Sequence, residues 1–254
     1  MQALRDQTSG PAKGNVAAEV RVDLLNGFDL SYGGNRVCLP IAEQRLVAFL
    51  ALQERPVRRL FVAGKLWIDA SEERASASLR TTLWRLTRAA RGVVSANGSS
   101  IGLSPRVGVD VRDATTRARR IINRPRDYSE SDWELLSGAG DLLPDWYDDW
   151  LLIERERFRQ LRVHALEELC NAFAAEGRYA EAADTGLAAV AMEPLRESSH
   201  RALIAAYLAE GNPSEALRQY RMFRRLLAEQ LGLEPSSAMR SLIADAQIGH
   251  ALGI

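Results

Sequence analysis

The chain is predicted to be mainly α-helical with small β elements, arranged as two modules in series. Three observations predict it. Residues 173–182 read FAAEGRYAEA and residues 207–216 read YLAEGNPSEA, one phrase repeated 34 positions on. That is the period of tetratricopeptide-type two-helix units, which bury their apolar faces only by stacking on their neighbours. From Val111 onward the pattern is almost wholly helical, whereas the residues before it mix alternating stretches, turn dipeptides and short helical runs. Finally, a net charge of zero hides an asymmetry. Residues 1–113 carry 16 Lys and Arg against 11 Asp and Glu, and the remainder carries 17 against 22. A basic front and an acidic back point to a polyanionic partner for the first module.

The bulk of the sequence closes off other classes. The two cysteines, Cys38 and Cys170, lie in different predicted modules without CxxC spacing, so two buried free thiols are expected rather than a disulfide or a zinc site. No apolar run approaches the ~18 residues that span a bilayer. The opening MQALRDQTSGPAKGN has no apolar core, and residues 1–17 are expected to be a flexible lead-in. A reducing cytoplasm, with nucleoid association and no membrane partner, is the expected location.

Residues 20–25, VRVDLL, begin in the two-residue rhythm of a half-buried strand. Asn26-Gly27 marks a tight turn, FDLSY (28–32) a second strand, Gly33-Gly34-Asn35 another turn, and RVCL (36–39) a third strand. Helical spacing starts at Ile41, with Leu46, Phe49, Leu50 and Leu52 as one buried face; Pro56 stops that helix near Glu54. A second helix is predicted over 58–66. A third follows over roughly 70–91, with Asp69 and Glu72 spaced as a capping pair. After Gly92, VVSA, Asn97-Gly98 and SSIGL read as a hairpin, and VGVDV leads out. Sheet, three helices and closing hairpin is the order of a winged helix-turn-helix, expected over 18–113.

The third helix carries the chemistry. At 100° per residue, Leu79, Leu83, Leu86 and Ala90 fall within about 60° and form its apolar stripe. Arg74, Ser78, Thr81, Arg85 and Arg88 fall within about 80° on the other side. Three guanidinium groups and two hydroxyls share that stripe with no carboxylate, whereas a merely solvated face usually mixes both signs. Trp84 lies about 80° from the stripe and is expected to pack at a module seam.

In the second module, expected over 114–254, helices are predicted at 111–123, 129–138, 150–176, 178–192, 196–210, 213–231 and 235–248. Gly177, Pro194, Gly211-Asn212-Pro213, Gly232 and Pro235 punctuate them. The modules are expected to pack together, with their boundary near residue 113. Asp145, Asp148, Asp149, Glu154 and Glu156 cluster at one helix start, which the helix dipole favours, and no His or Cys completes a metal site. His164, His200 and His250 are isolated, and no phosphate loop, nucleophile elbow or zinc-protease signature is present. Neither cofactor nor metal is expected, and the chain is not expected to be an enzyme.

In order and spacing, these segments resemble the Streptomyces antibiotic regulatory protein family. The matching phrases are RPVRRLFVAGKLW and SEERASASLRTTLWRL in the first module, and LLPDWYDDWLLIERERFRQL, AAEGRYAEA and EALRQYRMFRRLLAEQLGLEPS in the second. The resemblance covers about residues 18 to 246. It implies a response-regulator-type winged helix-turn-helix followed by an all-α, tetratricopeptide-like bacterial transcriptional activator domain. It further implies binding to direct repeats in double-stranded promoter DNA, contact with RNA polymerase and its sigma factor, and control of secondary-metabolite (antibiotic) genes. Two departures are Thr87, where many relatives are basic, and Ile68, where many have proline.

An α-helix fits the major groove, where arginine reaches guanine O6 and N7 together. On that basis Arg74, Ser78, Thr81 and Arg85 are the candidates for base-edge contacts. Arg45, Arg58, Arg59, Arg80, Arg88, Asn97 and Ser99 are the candidates for phosphate or minor-groove contacts, with Arg80 ranked lower as nearer the apolar side. Direct repeats imply head-to-tail self-association. The alternative is a tetratricopeptide-type adaptor that recruits a protein and reads no DNA, its arginine stripe being only a solvated face.

Overall fold

A computed structural model describes residues 20–252, with side chains through residue 244. The expected lead-in over 1–17 and the His250 side chain lie outside the described residues. Contacts divide the described chain into two compact units, residues 20–22 with 29–108, and residues 23–28 with 109–252.

In the first unit, β1 (Val20–Asp23), β2 (Asp29–Tyr32), β3 (Asn35–Arg36) and β7 (Val107–Val109) form a sheet in the order β3-β2-β1-β7. The third strand is shorter than the RVCL run predicts: after Val37 donates to the Leu30 carbonyl at 2.8 Å the chain turns away. Cys38 is therefore exposed, which corrects the expectation of two buried thiols. Helix α1 (Ile41–Ala51) ends earlier than predicted, and Val57 and Arg58 form β4, which pairs with β6 through Val57↔Ile101 and Arg58↔Ser100. Residues 46–51 of α1 are all buried. The C-terminal half of this helix, predicted to bury one face, is enclosed all round.

Helices α2 (Arg59–Leu66) and α3 (Glu72–Ala89) follow, then the wing, β5 (Val94–Asn97) and β6 (Ser100–Leu103). Asn97 pairs with Ser100, so the two turn residues are Gly98 and Ser99, one step later than Asn97-Gly98 suggests. Gly98 has φ +56, as a two-residue hairpin with glycine in first place requires.

The second unit stacks α4 (Asp110–Asn123), α5 (Glu130–Gly138), α6 (Asp149–Ala175), α7 (Tyr179–Met192), α8 (Glu197–Glu210), α9 (Pro213–Leu231) and α10 (Ser237–Leu252). The repeated phrase becomes the α6–α7 and α8–α9 pairs. Leu169 and Ala172, and their counterparts Leu203 and Ala206, are all buried. Gly186 lets α7 close on its neighbours: a Cβ there would stand 3.0 Å from the Leu203 side chain and 3.2 Å from Cys170 Sγ. Burial pushes the Cys170 thiol up to about 12, so it is a packing group.

Residues 23–28, which join β1 to β2, belong to this unit. The Asp110 carboxylate, at the start of α4, accepts from the backbone N–H groups of Leu24 and Leu25 at 2.9 Å and of Val111 at 2.6 Å. Asn26 N–H donates to the Asp141 carbonyl at 2.9 Å, and Phe28 stacks on Trp146 with ring centroids 6.1 Å apart.

Buried polar groups tie the helices. Arg162, 6% exposed, donates to the Leu136, Ser137 and Gly140 carbonyls and so closes the C-terminal end of α5. Glu167 Oε1 on α6 accepts from Arg196 Nε at 2.9 Å and from the Ser198 and Ser199 hydroxyls at 2.7 Å. His200 is also buried; it hydrogen-bonds the Pro194 carbonyl through Nε2 and Gln219 through Nδ1, and burial holds its pKa below the usual histidine range.

Asp132 has a fully enclosed side chain that bonds Ser129 N–H at 2.7 Å, the Ser129 hydroxyl at 2.8 Å, Arg117 at 3.0 Å and Arg120. Burial pushes its pKa up, but the Ser129 bonds and the two guanidinium groups outweigh it and hold the carboxyl below its ordinary 3.8. Asp132→Asn is expected to cost about 2–4 kcal/mol in denaturant unfolding, discounted because both arginines are partly solvated. A depressed carboxyl pKa stabilises the fold above pH 3.8, and that contribution is lost as pH falls through the folded value. In an acid titration, the wild type is expected to converge on the variant below pH 3.8.

Candidate nucleic-acid interface

Helix α3 starts at an N-cap, Ser71, whose hydroxyl accepts from Arg74 N–H at 3.4 Å. Glu72 and Glu73 follow in the first turn, where the helix dipole favours them. The cap is Ser71 rather than Asp69, because the chain completes a turn at Ala70, whose N–H donates to the Trp67 carbonyl. Past the last turn, Ala90 leaves helical geometry and the wing begins.

The face of α3 packed against α1 and α2 consists of Ala75, Leu79, Thr82 and Leu86, each no more than 5% exposed. Leu83, expected on that face, is only half-buried, and Thr82, not singled out by its polarity, is buried. The packed stripe is therefore rotated slightly from the one read off the leucines. Arg74, Thr81, Arg85 and Arg88 are exposed and Ser78 is half-buried. On one uninterrupted helix these five lie along a single side. The Thr81 hydroxyl donates to the Ala77 carbonyl at 3.0 Å and keeps its lone pairs outward. Arg80, expected nearer the apolar side, is exposed.

Arg58, Arg59, Asn97 and Ser99 come together at the wing. Arg58 caps α2 while pairing with Ser100, and Arg59 N–H donates to the Ser99 carbonyl at 2.8 Å. Asn97, Ser99 and Arg58 are exposed and Arg59 is half-buried. Arg45 stands apart, half-buried on α1.

Among the described residues, no ion pair involves Arg74, Arg80, Arg85 or Arg88. Trp84 corrects the sequence reading. It is 60% exposed rather than packed, and the Arg88 guanidinium carbon lies 4.9 Å from its ring centroid. Its size suggested a seam, but its helical angle, between Arg80 and Arg88, already placed it outside.

An outward helix bearing guanidinium and hydroxyl groups, flanked by a hairpin, has the donors for phosphate and base-edge recognition. Among the described residues there is neither a metal-ligating cluster nor a helix long and apolar enough to cross a membrane.

Residues 134–246 match the bacterial transcriptional activator domain. Regulatory protein AfsR of Streptomyces coelicolor is 27% identical over 248 residues, covering 91% of this chain and 24% of that protein. Transcriptional regulator RedD of the same organism is 34% identical over 83 residues, which is 33% of this chain and 24% of RedD. The activator-domain match lies in the helical module and spans less than half of the chain. The chain spans about a quarter of the length of the AfsR relative. A solved structure of Mycobacterium tuberculosis EmbR, in complex with a low affinity phosphopeptide, superposes with a TM-score of 0.71 at 23% identity. That match covers 90% of this chain and 65% of EmbR, and it shows that the two share a fold. The chain is thus mainly helical, with a small β-containing winged-helix-like unit at its N-terminal side.

Since Ser71 rather than Asp69 caps the helix, Ser71→Ala is expected to lower the thermal stability of the protein by about 0.5–1 kcal/mol. Asp69→Ala is expected to leave it within about 0.5 kcal/mol of wild type. Paired melting curves check both.

Proposed function

We propose that this chain is a sequence-specific DNA-binding transcriptional activator. In this reading α3 enters the major groove of double-stranded promoter DNA. Arg74, Ser78, Thr81 and Arg85 meet base edges, while Arg88, Arg80, Arg58, Arg59, Arg45 and the wing residues Asn97 and Ser99 meet phosphate or the minor groove. Protomers bind direct repeats head-to-tail. The helical module, joined near residue 113, contacts RNA polymerase and its sigma factor, and the genes controlled are those of a secondary-metabolite cluster. The protein acts in the cytoplasm at the nucleoid.

The observation that carries the reading is the exposed, carboxylate-free arginine and hydroxyl side of α3, whose guanidinium groups have no acidic partner among the described residues. The activator-domain match and the similarity to the named regulators AfsR and RedD support the regulatory part. These relatives are regulators rather than enzymes by name, in line with a non-catalytic role.

Anisotropy titrations on a duplex selected from a random pool, and on its scrambled version, test the assignment. Arg85→Ala is expected to cost about 1–3 kcal/mol on the selected duplex and much less on the scrambled one. Arg88→Ala is expected to weaken both equally. Equal losses from the two variants contradict base reading by Arg85. A shallow log K against log salt slope with no preferred duplex supports the adaptor reading instead.

A further inference from the structure

Trp84 is a large apolar side chain left 60% exposed in the middle of α3. Arg88 follows one turn later, and its guanidinium carbon lies 4.9 Å from the centre of the indole ring. Among the described residues no carboxylate pairs with that cation. Within α3 the acids are Glu72 and Glu73, both in the first turn, and 15 residues of helix separate Glu73 from Arg88 by about 22 Å. Among the described residues Trp84 makes this contact with Arg88 and with no other cation. Among the described residues Arg74, Arg80 and Arg85 have no comparable platform.

A guanidinium on a flexible stem loses rotamer freedom when it is pinned to a phosphate. An aromatic face that already holds it removes part of that cost and leaves its N–H edge free. Arg88 lies ten residues, or about 15 Å, beyond Ser78. As the C-terminal member of that side, one turn beyond Arg85, it falls towards the groove wall. A flat ring beside it suits the apolar deoxyribose surface of the same wall.

We propose that Trp84 is a positioning residue that holds the Arg88 guanidinium for one DNA phosphate, so that the two side chains make a single backbone contact. The inference rests on the DNA-binding reading above and deepens it. A phosphate contact is blind to sequence, so its loss affects every duplex alike.

The test is a double-mutant cycle on the full chain, using the selected and scrambled duplexes over a range of salt concentrations. Trp84→Ala and Arg88→Ala are each expected to weaken both duplexes by about 3–10-fold. Trp84→Phe is expected to recover most of the loss, and the double variant to bind no more weakly than Arg88→Ala alone. The log K against log salt slope is expected to drop by about one for Arg88→Ala. Both side chains are exposed, so unchanged melting temperatures separate a lost contact from a damaged fold. Unchanged affinity in Trp84→Ala, or losses that simply add in the double variant, overturns the proposal while leaving the DNA reading standing. If the wild type selects no duplex and shows no salt slope, the DNA reading fails and this inference falls with it.

Discussion

The proposed DNA-binding surface depends on how one helix divides its circumference. Ala75, Leu79, Thr82 and Leu86 lock α3 against α1 and α2. Because successive residues turn by 100°, that choice fixes where every other side chain points. Arg74, Thr81, Arg85 and Arg88 are outside because the packed set is where it is. A rotation of one residue would exchange guanidinium groups for leucine in the core, at several kcal/mol for each unpaired buried charge. Core packing and presentation of charge are therefore one constraint. The wing and the start of α2 add to it through the β4–β6 pairing, which sets Arg58 beside the hairpin tip.

In the helical module, burial of apolar residues is joined by polar groups that specify which helices meet. The Glu167 carboxylate collects Arg196, Ser198 and Ser199 where α8 begins, and Arg162 closes the end of α5. Such groups add little net stability when satisfied, but an alternative packing would leave them unpaired. They fix register in a stack whose apolar faces, rich in alanine and leucine, are otherwise interchangeable. The loop of residues 23–28, bonded to Asp110 and Asp141, belongs to the same stack although it is flanked by strands of the N-terminal sheet.

Helix existence and order were legible wherever periodicity was long, as in α6, α8 and α9, and the 34-residue repeat placed the stacked pairs without any structure. Short β elements were not. Arg58 reads as the start of a helix because only pairing across the sheet, Val57 with Ile101 and Arg58 with Ser100, makes Val57-Arg58 a strand. The turn at Gly98-Ser99 is offset from the Asn-Gly signal because glycine, not asparagine, occupies the first turn position. Side-chain fate failed where polarity and position disagreed: Thr82 is buried and Trp84 exposed because the packed stripe is centred between Ala75 and Leu86. The arginine side of α3 was legible because its residues share one face whatever the exact rotation. The bonds to Asp110 pair positions 85 and 86 residues apart, and no local pattern encodes them.

Guanine N7 interference is the most direct test of α3 as a major-groove reader. Guanines in a selected duplex are replaced one at a time by 7-deazaguanine, which keeps base pairing and removes the acceptor that arginine uses. The account predicts lost binding at a few guanines that recur with the spacing of the repeats, and no effect in the flanks. Full binding with every guanine substituted would contradict it.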